Sequence, residues 1–183
     1  MTTQFRPMTA MFAHRLGLIP HRSLLLRRAA SQGLTSPSAF ETLAWDYGCR
    51  YYPLRERVNL PARVHFSQGQ IAIALMHPSF EWDPQRLRIA AAMVGALGND
   101  PQQLARLAQQ EQCVAPLTYI ALAGQNAEPL QPFWTQLLNP LPACAPPPAG
   151  VMPHPSRFCA LAGKSRPGTS LLSVSAWIRP SAA

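Results

Sequence analysis

Two Asp-Pro dipeptides, Asp83-Pro84 and Asp100-Pro101, lie seventeen residues apart and constrain the fold more than any other feature. An Asp side chain accepts hydrogen bonds from the free N–H groups of a first helical turn. Pro at the first helical position loses nothing by lacking its own N–H. Each dipeptide therefore predicts a helix start, and Gly98 falls where a left-handed stop is wanted. The spacing predicts a helix over 84–97, a turn at Gly98-Asn99-Asp100 and a second helix over 101–112.

The two helices carry different patterns. On the first, Leu87, Ala90, Ala91, Val94 and Leu97 share a face, and Ala92, Gly95 and Ala96 leave room for another backbone behind it. A helix apolar on both sides is a central one. On the second, Leu104, Leu107 and Ala108 point inward while Gln102, Arg106, Gln109 and Gln110 point outward, as on a surface helix.

Other helix signals surround this pair. A short helix is expected from about Pro20 to Gln32, stopped by Gly33. The capping boxes Ser38-x-x-Glu41 and Ser67-x-x-Gln70 predict helices that stop at Gly48 and at His77-Pro78. Arg57–Phe66 alternates roughly, with Pro61 inside it, and reads as an extended arm or edge strand. Pro116 and Pro132 open two further helices, the first stopped by Gly124 and the second by Asn139-Pro140. Helix starts at Pro84, Pro101, Pro116 and Pro132 are separated by 17, 15 and 16 residues. Short helices with short links pack against their neighbours. The expected fold class is all-α: a small bundle of short antiparallel helices, stacked as helical hairpins.

Composition divides the chain into three parts. Residues 1–36 form a basic, partly helical N-terminal segment, 37–139 the helical domain, and 140–183 a Pro-rich tail expected to be disordered. That tail holds nine of the twenty prolines, and within it Leu171–Ile178 has the composition to pair weakly as a strand. The net charge of +8 comes from fifteen Arg and Lys164 against eight acids. Residues 1–40 carry five Arg and no acid, 41–141 seven Arg and all eight acids, and 142–183 three Arg with Lys164 and no acid. The ends are thus basic and the centre is neutral, so the ends are the parts suited to nucleic acid or anionic lipid. The first forty residues also have the composition of an organellar transit peptide.

The four cysteines form no C-x-x-C pair and follow no secretory signal, which points to a reducing compartment, the cytoplasm. No apolar run approaches the ~18 residues that span a bilayer. No nucleophile elbow or Gly-rich phosphate loop occurs. Gly163-Lys164-Ser165 matches the end of a phosphate loop but has Phe158 where its first Gly belongs. Cys144, His154 and Cys159 fit no common zinc spacing. No cofactor or metal is expected.

Three functions are compatible with these residues. The favoured one is a non-enzymatic interaction module that contacts another protein, its oligomeric state left open. The second is a DNA-binding helix-turn-helix protein, with Gln102, Gln103, Arg106 and Gln110 of the second helix facing base edges. The third is an enzyme built on the turn His77-Pro-Ser79-Phe-Glu81-Trp82-Asp83, which places an imidazole, a hydroxyl and two carboxylates close together. The simpler reading of that turn is one helix ending at His77-Pro78 and the next capped by Asp83.

Overall fold

The computed structural model describes residues 23–62, 64–162 and 174–181. The fold is mostly helical. Among the described residues there are seven α-helices: α1 (Leu24–Ser31), α2 (Pro37–Asp46), α3 (Gln68–Leu75), α4 (Pro84–Val94), α5 (Pro101–Gln110), α6 (Val114–Ala127) and α7 (Pro132–Leu138). A 3-10 turn at Pro155–Phe158 leads into β1 (Cys159–Ala162), which pairs antiparallel with β2 (Val174–Trp177). No helix among the described residues is long and apolar enough to cross a membrane. Residues 1–22 and Gly163-Lys164-Ser165 lie outside the described residues.

Proline starts the helices as its chemistry demands. Pro37, Pro84, Pro101 and Pro132 each occupy a first-turn position, and Asp83 and Asp100 accept from the backbone N–H groups behind them. The Ser67–Gln70 capping box closes in both directions. The other predicted box is corrected: Ser36, not Ser38, caps α2, because Pro37 supplies the N1 position. Glu41 is buried and accepts from Arg86 Nε at 3.1 Å. Residues 57–61 and 64–66 form no strand. That arm is fixed by Val58 N–H donating to Thr42 Oγ1 at 3.2 Å, while Pro61 withholds a ladder donor.

α4 is central, with every residue from Ile89 to Ala96 buried. It ends at Gly95, before the expected 97, so Leu97 falls in the following turn and is 88% exposed. The space behind Gly95 receives an indole, not a backbone: a Cβ there would lie 2.5 Å from the Trp177 ring. Gly124 repeats this arrangement. It lies inside α6, with the Trp134 ring 2.5 Å from where its Cβ would be, so α6 continues through the expected stop to Ala127.

The helices pair differently from a simple stack of hairpins. α4 packs mainly on α3, and α7 on α6, as sequence neighbours. α5 instead packs on α7 and α3, and to a lesser extent on α6. The expected hairpin of 84–97 with 101–112 is therefore not a main packing unit.

The expectation of a disordered tail is corrected for 153–162 and 174–181. Phe158, Trp177 and Ile178 join the same buried cluster as Phe40, Leu87 and Trp134. Tyr52 Oη donates to the Arg157 carbonyl at 2.9 Å, Ile178 N–H to Phe158 at 2.9 Å and Ser181 N–H to Gly48 at 3.0 Å. Periodicity cannot show this, because four-residue strands and one 3-10 turn are too short to display a period.

Trp177→Ala should therefore destabilise the protein by ~3–5 kcal/mol, the usual cost of truncating a buried aromatic. Gly95→Ala should also destabilise it, since the new methyl meets the Trp177 ring. Chemical denaturation with far-UV detection measures both. An unchanged midpoint for Trp177→Ala would place the indole outside the core.

Candidate interaction surface

The accessible site is built around α5. Leu104, Ala105 and Ala108 are buried and anchor the helix, while Gln102, Gln103, Arg106 and Gln110 are exposed. Gly98 enters the preceding turn at φ +97, a left-handed backbone that suits glycine. Asn99 Nδ2 then donates to the Met93 and Val94 carbonyls at 2.7 and 3.0 Å, closing the end of α4. Across from the turn, the first residues of α3 come close. A Cβ on Gly69 would touch Asn99 Oδ1 and Leu104 at 3.4 Å.

Between α3 and α5 this leaves an open depression of about 390 Å³. Leu104 and Leu107 supply its apolar part, and Gln70, Gln103, Arg106 and Gln110 supply amides and a cation. Three of the four residues suggested for base reading thus share one surface, while Gln102 is exposed outside it. No side-chain hydrogen bond or ion pair engages Gln103, Arg106 or Gln110 among the described residues. Gln109 differs: its Nε2 donates to the Pro140 carbonyl at 2.9 Å, tying the chain after α7 to α5.

The His77–Asp83 turn does not assemble as an acid–base cluster. His77 faces inward: Nδ1 accepts from Ser79 N–H at 3.1 Å, and Nε2 lies 3.7 Å from Glu111 Oε2. Asp83 faces α4, accepting from Gln85 and Arg86 N–H at 2.9 and 3.0 Å, and from Arg55 at 2.8 Å. Burial pushes the Asp83 carboxyl up, but these bonds outweigh it and hold the group below its ordinary range. Glu81 is exposed and contributes its carbonyl to Arg86. Trp82 Nε1 donates to the Met76 carbonyl at 3.1 Å.

Sequence reasoning missed the residue that His77 does meet. Glu111 is buried, and it accepts from Ser23 Oγ at 2.5 Å and from Leu25 N–H at 3.0 Å. It thereby caps α1 from 88 residues away. No local signal marks such a partner. Ser23, His77 and Glu111 are all buried, and Ser23 Oγ also accepts from Leu26 N–H. The hydroxyl donates to the carboxylate instead of to the imidazole, so this group lacks the nucleophile–base pairing of a hydrolase.

The thiols of Cys49, Cys113 and Cys159 are not activated. Burial pushes Cys49 up to about 12 and raises Cys113 and Cys159. Cys144 is exposed beside Thr118, and His154 turns back on Ser156. No group of three His, Cys, Asp or Glu that could hold a metal occurs among the described residues.

No protein-family model, no curated protein and no solved structure matches this chain.

Burial lowers the His77 pKa from its ordinary 6.5, and Glu111 opposes that shift. The unfolded chain therefore takes up this proton at higher pH than the native protein does. The His77 contribution is complete above pH 6.5 and is lost as pH falls below it toward the lowered native value. Asp83 and Glu128, held below the ordinary carboxylate range, lose their contributions only at lower pH. The thermal midpoint should thus fall between about pH 7 and pH 5.5, and His77→Gln should flatten that slope. Equal slopes in both proteins would show that His77 is not the titrating group.

Proposed function

We propose that the chain is a non-enzymatic helical interaction module that binds another protein through the outward face of α5 and the depression beside it. One contrast carries this reading. Gln103, Arg106 and Gln110 stand exposed around an open surface, whereas Ser23, His77 and Glu111 are buried and satisfy one another. A surface of amides and one guanidinium over two leucines suits a protein partner: the leucines give burial and the amides give directional hydrogen bonds. Exposed Leu97, in the adjoining turn, adds apolar surface beside it. Free thiols at Cys49, Cys113, Cys144 and Cys159 suit a reducing cytoplasm.

DNA reading by the same helix has less support. A helix-turn-helix holds its recognition helix against the preceding one, and α5 packs mainly on α7 and α3.

Site-specific photocrosslinking in the producing cells tests the proposal. A photoreactive residue at Gln103 or Gln110 should form a discrete, protease-sensitive adduct that the same residue at exposed Glu56 does not form. A nuclease-sensitive adduct would transfer the helix to DNA. Indistinguishable labelling from all three positions would remove α5 as an interaction surface.

A further inference from the structure

A second surface lies around Tyr52, on the side where α4 meets the 3-10 turn. Tyr52 is buried, and its hydroxyl donates to the Arg157 carbonyl at 2.9 Å. The Arg88 guanidinium carbon lies 5.5 Å from its ring centroid, a cation–π arrangement. Tyr51 meets the same ring edge-on, with centroids 5.1 Å apart, and is 59% exposed. Arg50 precedes Tyr51 and is exposed, as is Arg157. Tyr52 thus touches the exposed Tyr51 ring, the Arg88 guanidinium and the backbone of Arg157, and Arg50 adjoins Tyr51 in the chain.

The cations there lack acidic partners. Among the described residues, the carboxylates that pair with arginine are Asp46, Asp83, Glu41 and Glu128, and none of them pairs with Arg50, Arg88 or Arg157. Arg88 donates Nε to the Pro84 carbonyl at 3.2 Å, which anchors its stem over the first turn of α4. The nearby carboxylate, Asp83, is neutralised by Arg55 at 2.8 Å. Arg50, Arg88 and Arg157 are thus three cations without a carboxylate ion-pair partner among the described residues.

We propose that Tyr51, with Arg50, Arg88 and Arg157, binds single-stranded nucleic acid. Tyr51 stacks on a base and the arginines hold the flanking phosphates. An exposed tyrosine with arginines on the adjoining segments supplies both elements of sequence-tolerant single-strand binding, a π-face and cations. An acidic peptide or a bare polyanion would use the arginines and gain little from the ring. This surface is separate from the α5 face, so the inference stands or falls independently of the protein-binding reading.

The test uses the full chain and fluorescence anisotropy near physiological salt. The probes are labelled oligouridine and oligodeoxythymidine of about twelve nucleotides. Inorganic polyphosphate is the base-free competitor. Tyr51→Ala should weaken oligonucleotide binding at least about five-fold and leave polyphosphate competition unchanged, since stacking acts on the base alone. Tyr51→Phe should bind like the parent chain, because it keeps the ring. Arg50→Ala combined with Arg157→Ala should weaken both ligands and flatten the salt dependence. The basic ends contribute equally to every variant and do not mimic this pattern. Unchanged oligonucleotide binding in Tyr51→Ala would overturn the proposal. So would an equal loss of both ligands, which would mark a general anion or acidic-protein surface, or an absence of oligonucleotide binding by the parent chain.

Discussion

The fold depends on two indoles seated on two glycines. Trp134 lies over Gly124 and Trp177 over Gly95, and the two rings meet at a tilt of 60° with centroids 4.7 Å apart. Neither seat would admit a side chain. A buried indole also needs a partner for its N–H. Trp177 Nε1 donates to the Ala91 carbonyl at 3.1 Å, and Trp134 Nε1 to Glu128 Oε2 at 3.1 Å. Glu128 in turn pairs with Arg179, whose Nε donates to the Gly95 carbonyl at 2.8 Å. Burial pushes the Glu128 carboxyl up, and the bonds from Arg179 and Trp134 outweigh that and hold it low. One carboxylate thus connects α6, α7 and the C-terminal strand, while Arg179 satisfies a carbonyl that α4 leaves open at its end.

Polar groups inside the protein serve the same end of joining distant elements. Glu111 caps α1, Arg86 joins α4 to Glu41 of α2, and Tyr52 holds the 3-10 turn. Groups engaged in this way are not available for chemistry. Both functional readings rest instead on exposed polar side chains, those of α5 and those around Tyr51.

What could be read from the sequence was what depends on near neighbours. Pro84, Pro101 and Pro132 with their flanking residues locate three helix starts, and the apolar circumference of α4 marks it as central. The outward placement of Gln102, Gln103, Arg106 and Gln110 follows from helical spacing alone. What failed depends on long-range partners. Gly124 reads as a stop until Trp134 is placed against it, and Gly95 reads as room for a backbone until Trp177 fills it. The tail reads as disordered because prolines dominate it, yet Phe158 and Trp177 have seats in the core. At the sites, the His77 turn looks like chemistry because its residues are adjacent in sequence. The side chains diverge, and the partner of His77 is Glu111. The Tyr51 surface gave no signal, since Arg50, Arg88 and Arg157 are separated along the chain.

The C-terminal strand completes the core around α4 and is not an appendage to it. Native-state hydrogen exchange at the Trp177 indole N–H tests this most directly. The bond to Ala91 is buried, so exchange should require global unfolding and follow the same denaturant dependence as the amides of α4. Exchange at a much lower free energy, insensitive to denaturant, would mean that the strand opens by itself and that α4 is held by the helices alone.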